Sequence, residues 1–169
     1  MDPIAILTGA SSGIGAAAAE RFVECGFTVI HISRRDCPVP GAETLTTDLA
    51  DAQYTARTCT AVAATVSDAG GGPECLVHNA SLMLKDQCDT TEDSDLSRVL
   101  SVNVVGINSL NRNLLPLMPT GSSVLYVGST LSEKAVAGAF SYIVSKHAQL
   151  GMMRATCQDL MGRGIHTAL

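Results

Sequence analysis

"TGASSGIG", Thr8 to Gly15, is the stretch on which the fold of this chain turns. The apolar run "IAILTG" that leads into it reads as a buried strand. The alanine-rich "GIGAAAAERFVECG", closed by Gly26, reads as the helix that follows. A glycine turn between strand and helix leaves free backbone N–H groups at the helix start, where they attract phosphate. Gly9 permits the tight turn. Gly13 and Gly15 let backbone approach a diphosphate and let the helix pack on the sheet. Ser11, Ser12 and Ile14 complete the candidate phosphate loop.

Outward from this turn, the same alternation repeats. "FTVIHIS" reads as a second strand and "AETLTTDL" as a third. "DAQYTARTCTAVAATVSDAGGG" reads as a helix running into a flexible turn, and "ECLVHNAS" as a fourth strand. "DSDLSRVLSVNVVGINSLNRNLLPLM" reads as a long helix with Asp/Ser caps and an interior Gly106. "SSVLYVGS" is a fifth strand, "GAFSYIVSKHAQLGMMRATCQDLM" a second long helix, and "GIHTAL" the start of a sixth strand. Alternating strands and helices with short connections predict a parallel sheet covered on both faces. With glycines at the first turn, the expectation is one doubly wound α/β domain over residues 1–169 that binds a dinucleotide.

The totals set limits on partners. A chain of 169 residues with 46% apolar and 16% charged residues has the material for one buried core. A net charge of −5 without a Lys/Arg-rich run argues against nucleic acid or an anionic membrane. No apolar run approaches the ~18 residues of a membrane span, and the N-terminus does not read as a signal peptide. The six cysteines, at 25, 37, 59, 75, 88 and 157, form no CxxC pair. They read as reduced thiols in a cytoplasmic protein, and the four histidines add no metal-ligand spacing.

The chemical end lies near the C-terminus. In "SYIVSK", Tyr142 and Lys146 are spaced i, i+4 and share one face of a helix. An ordinary phenol ionises near pH ~10 and is a poor proton carrier at neutrality. A nearby ammonium favours its phenolate, so a tyrosine so placed can give a proton to a carbonyl oxygen or take one from an alcohol. Ser129 closes the fifth strand, 13 residues before Tyr142. Strand ends of this kind border the ligand crevice, and a hydroxyl there can hold a substrate oxygen. No GxSxG elbow surrounds it, which excludes the serine-hydrolase reading.

Together these motifs resemble the classical short-chain dehydrogenase/reductase family, with its TGxxxGxG opening. The resemblance spans essentially the whole chain and implies a Rossmann fold. Ser129, Tyr142 and Lys146 match the family's catalytic residues, and Asn103 in "SVNVVG" matches the fourth member. That implies a water-mediated link from Asn103 to Lys146 for proton supply. Asp48 and Leu49 match the positions beside the adenine. "HNAS" resembles the family's NNAG: Asn79 and Ala80 match, while His78 and Ser81 depart from it. His78 reads as a satisfied structural histidine. The family's cofactor-discriminating acid falls at Ser33, and Arg34 and Arg35 follow. Serine with arginines favours the 2′-phosphate of NADP(H), with NAD(H) the alternative. The plainer reading is a solvated turn in which the arginines pair with Asp36 or water.

The resemblance implies hydride transfer between a nicotinamide and a small carbonyl or secondary alcohol. It also implies a homodimer or homotetramer through the two long helices, 92–118 and 140–162, where Val144, Leu150 and Met153 are candidate partner contacts. The family's proline-glycine segment, substrate loop and seventh strand are not found after the sixth strand. The expectation is therefore a C-terminally truncated Rossmann domain, with the C-terminal strand and substrate loop missing. Two other readings stay open: a non-catalytic NADPH-binding sensor or regulatory protein, and a structural domain with no cofactor affinity.

Overall fold

The computed structural model describes residues 2–68 and 71–169, with the Asp68 side chain left aside. Residues 69 and 70 of the flexible turn expected after the second helix lie outside the described residues. Six parallel strands form one sheet in the order β3-β2-β1-β4-β5-β6. They are β1 (Ile4–Thr8), β2 (Thr28–Ser33), β3 (Ala42–Thr46), β4 (Pro73–His78), β5 (Ser123–Tyr126) and β6 (His166–Ala168). Five helices connect them: α1 (Gly13–Glu24), α2 (Ala52–Asp68), α3 (Asp93–Leu100), α4 (Gly106–Leu114) and α5 (Phe140–Leu160). The order reverses between β1 and β4, which places a crevice at their carboxyl ends.

β1 is buried along its whole length, and its period of two divides the core. Ile4 and Ile6 join Ile30, Leu76, Ile107, Leu110 and Leu114 on the face covered by α2, α4 and α5. Ala5 and Leu7 join Ala19, Val29 and Val77 on the face covered by α1.

Several elements differ from expectation. β3 stops at Thr46 rather than continuing to Leu49, because Asp48 Oδ1 accepts the Ala50 N–H at 3.0 Å and turns the chain. β5 stops at Tyr126; Ser129 instead caps a short turn, Thr130–Ser132, through its own Oγ. The long helix starts without a side-chain cap, its N-cap being Glu92. It also widens between α3 and α4, where residues Ser101–Val105 form a π turn and Gly106 N–H bonds to Ser101 O. Gly106 is required there, since a Cβ would stand 2.7 Å from the Leu49 carbonyl oxygen.

Candidate active site

At the carboxyl ends of β1, β2 and β4 lies a cleft of about 250 Å³. Gly9, Ser11, Ser12, Ser33, Arg34, Asp48, Leu49, Asn79, Ala80 and Ser81 line it, all residues that the sequence singled out. Arg35 and Arg98 also line it.

The glycine turn is built for close approach. Gly9 has φ +70°, and a Cβ on it would lie 2.7 Å from the Ala80 Cα. A Cβ on Gly15 would collide with the Asn79 side chain and the Gly9 carbonyl, so Gly15 seats α1 against the sheet. Gly13 has φ +58° and nothing near its missing Cβ, so backbone conformation is what requires glycine there. Ser12 makes no side-chain cap, which leaves the first N–H groups of α1 facing the turn. Ile14 is exposed at that helix start and, like Gly13 and Gly15, stands outside the cleft lining.

Three polar side chains hold this turn: Thr8 and His31, both buried, and the half-buried Asn79. Asn79 Nδ2 donates to the carbonyls of Thr8 (3.1 Å) and Gly9 (2.9 Å), while Thr8 Oγ1 accepts the N–H groups of Asn79 and Ala80 at 3.0 Å each. His31 is the support that sequence reading missed. Its Nε2 accepts the Ala10 N–H at 2.7 Å, so Nδ1 carries the proton and faces Thr44 Oγ1 at 3.3 Å. Burial lowers its pKa.

Among the described residues neither arginine after β2 pairs with Asp36; the ion pair found is Arg21–Glu24. Arg35 Nη2 instead donates to Ser11 Oγ at 3.2 Å, which brings a guanidinium onto the glycine turn.

The second cluster is built on α5. Tyr142 is half-buried, and the Lys146 Nζ stands 5.5 Å from the centre of its ring. Lys146 is 2% exposed and donates to Val127 O at 3.0 Å and Gln149 Oε1 at 2.8 Å. Burial pushes its pKa down to about 8. Asn103 sits in the π turn. Its Oδ1 accepts the Leu82 N–H (2.7 Å), and its Nδ2 donates to Leu82 O (2.8 Å) and Ser145 Oγ (2.9 Å). Leu82 also lines the cleft, so Asn103 joins the two clusters. Ser129 is half-buried; its Oγ accepts the Leu131 N–H at 3.1 Å, which leaves its own proton to donate.

His78 is structural, though only half satisfied. Asn111 Nδ2 donates to the Tyr126 hydroxyl (2.7 Å), so Asn111 Oδ1 accepts from His78 Nε2 at 2.8 Å. Nδ1 is buried without a partner, and burial pushes the pKa down to about 4. Met153 packs against the chain's own core, as an apolar residue facing the sheet should. Val144 is exposed and Leu150 half-buried.

A family profile described as short chain dehydrogenase matches residues 3–169. The chain belongs to the short-chain dehydrogenase family. A short-chain dehydrogenase of Penicillium brasilianum, prhI, is 29% identical over 97% of this chain and 66% of its own length. The 3-oxoacyl-[acyl-carrier-protein] reductase FabG of Vibrio harveyi is 27% identical over 96% of this chain and 69% of its own. A short-chain dehydrogenase/reductase family oxidoreductase of Brucella ovis, solved with a partially ordered NAD, superposes with a TM-score of 0.91 at 27% identity. It is matched over 99% of this chain and 82% of its own. The chain thus spans about two thirds of the length of the curated short-chain dehydrogenases cited. Among the described residues, no helix is long and apolar enough to cross a membrane.

Proposed function

We propose that this chain interconverts a small carbonyl compound and its secondary alcohol, using NADP(H) in preference to NAD(H). The observation that carries this reading is the buried Lys146 ammonium 5.5 Å from the Tyr142 ring, on a helix that Asn103 ties to Leu82 of the glycine-turn cleft.

The cleft residues fit the cofactor. Gly9, Ser11, Ser12 and the uncapped start of α1 suit a diphosphate. Asp48 and Leu49 would border the adenine, and Asn79, Ala80 and Ser81 the adenosine ribose. Ser33, Arg34 and Arg35 offer a hydroxyl and two cations where an acid would favour NAD, so a 2′-phosphate is the better match. Tyr142 and Lys146 would hold the nicotinamide ribose. When bound, the cofactor supplies or accepts the hydride.

The chain's own groups handle the proton. Ser129 donates its free O–H to the substrate oxygen and polarises the carbonyl. Tyr142 delivers the proton to that oxygen in reduction and removes it in oxidation. The Lys146 ammonium stabilises negative charge on Tyr142 as its proton leaves. Asn103 fixes the π turn against Leu82 and against Ser145 of α5, holding these groups in register.

Val144, Ala148, Gly151 and Ala155 leave one face of α5 exposed, which supports a homodimer or homotetramer through α5 and the long helix of α3 and α4. The unpaired cysteines suit a reducing compartment, and we place the chain in the cytoplasm.

The test is a fluorescence titration with NADPH and NADH in parallel. Tighter NADPH binding supports the reading. Tighter NADH binding overturns the cofactor choice, and no binding of either overturns the dinucleotide site. A non-catalytic sensor would bind NADPH yet reduce no carbonyl compound.

A further inference from the structure

Four residues of α5 form one inward stripe: Tyr142, Ser145, Lys146 and Gln149, spaced i, i+3, i+4 and i+7. The last has no part in the sequence reading. Gln149 is 1% exposed, a position where a polar side chain needs partners for both ends of its amide. It has them. Its Oε1 accepts from the Lys146 ammonium at 2.8 Å, and its Nε2 donates to the Asn103 carbonyl oxygen at 2.9 Å. The flipped amide would set donor against donor at Lys146 and acceptor against acceptor at Asn103, so the two bonds enforce one orientation.

We propose that Gln149 is a positioning residue for Lys146: its carboxamide fixes the ammonium beside Tyr142 and ties it to the Asn103 carbonyl through protein. This rests on the reading of Tyr142 and Lys146 as the proton-handling pair. The family resemblance places a water-held link between Asn103 and lysine, whereas here a side chain makes that connection directly. A water in such a link can exchange and reorient; an amide anchored one turn along the same helix cannot leave.

Charge explains why the residue is glutamine. The titratable group facing Lys146 is Tyr142, on its own helix. From the π turn and from the segment after β5 come only the Asn103 and Val127 backbone carbonyls, both neutral. Among the described residues no carboxylate pairs with the ammonium, and burial lowers its pKa. A glutamate at 149 would hold the lysine more strongly, but it would cancel the positive charge that Tyr142 experiences. It would also face the Asn103 carbonyl oxygen without a proton to offer. The amide holds the cation and leaves its charge uncompensated.

The sequence makes the test practical, since the chain has three lysines, Lys85, Lys134 and Lys146. In ligand-free protein labelled with ¹³C-lysine, the Cε–Hε resonances are followed against pH, with Lys146 assigned by Lys146→Met. The Lys146 midpoint, near 8 in the parent chain, is expected to fall by roughly one unit in Gln149→Met and to rise by at least about one unit in Gln149→Glu. Should Gln149→Met fail to fold, the nearly isosteric Gln149→Glu decides alone. Equal midpoints in parent and variants overturn the role of Gln149. Turnover by Tyr142→Phe is a separate arm. If that variant reduces carbonyl compounds at the parent rate, the proton-handling pair is wrong whatever the midpoints do.

Discussion

The Lys146 ammonium lies 5.5 Å from the centre of the Tyr142 ring, buried and held only by neutral oxygens. A cation in that state is costly to the fold. Its folded pKa of about 8 lies below the ordinary 10.5, so the unfolded chain takes up the proton first as pH falls. The stability involved is fully present above 10.5 and lost as pH falls through 8. The parent chain should therefore gain about 3 kcal/mol relative to Lys146→Met between pH 8 and 10.5. Parallel urea unfolding of both proteins across that range checks this; a constant difference would contradict it.

Cofactor choice rests on the cations after β2. Arg34→Ala and Arg35→Ala should each weaken NADPH binding by roughly tenfold to a hundredfold, the scale of a lost charged hydrogen bond. NADH binding should change little. Dissociation constants for both nucleotides with both variants separate this from a general loss of the site, which would weaken the two alike.

The parallel sheet and the glycine turn were legible because local chemistry dictates them. Positive φ at Gly9 and Gly13 demands glycine, and apolar runs that alternate with helical stretches point to parallel pairing, although β2 and β3 are joined by a loop without a helix. Ser129, Tyr142 and Lys146 were singled out by spacing and Asn103 by the family resemblance; the structure sets Lys146 beside Tyr142 and ties Asn103 to Ser145 of the same helix. Their supports were not legible. His31 reads as one more strand residue, yet it holds the glycine turn from 21 residues away in sequence. Gln149 is not singled out by any motif, being one more polar residue in the second long helix. The π turn at Asn103 has no signature in "SVNVVG"; close packing of Gly106 on Leu49 accompanies it. Contacts made through space between distant residues leave no periodicity to read.

Gly9 combines a left-handed backbone with a neighbour 2.7 Å from where Cβ would stand. Gly9→Ala should cost about 2–4 kcal/mol from strain and overpacking. It should also disturb NADPH binding, because the Asn79 bond to Gly9 O shifts with it. Gly13→Ala meets no neighbour and should cost only the conformational part, about 1–2 kcal/mol. Chemical denaturation of the two variants ranks them; equal losses would mean that the packing at Ala80 contributes nothing.

His78 sets an acid limit on the fold. It is buried with one nitrogen unpartnered, and its pKa of about 4 lies below the ordinary 6.5. Stability is therefore full above 6.5 and falls as pH drops toward 4, by about 3 kcal/mol from this group. His78→Asn should remove that slope. The measurement is unfolding free energy at pH 7 and pH 4.5 for both proteins, and an unchanged difference would show that His78 does not titrate with folding.

The most direct test of the account follows deuteride from 4-deuterated NADPH into a panel of small carbonyl compounds, for the parent chain and for Tyr142→Phe. The account predicts deuterium in the alcohol product with the parent chain. It predicts a loss of roughly 10²–10⁴-fold in Tyr142→Phe, with NADPH binding intact. A Tyr142→Phe chain that transfers deuteride as fast as the parent, or a parent chain that binds NADPH and reduces nothing, would contradict it.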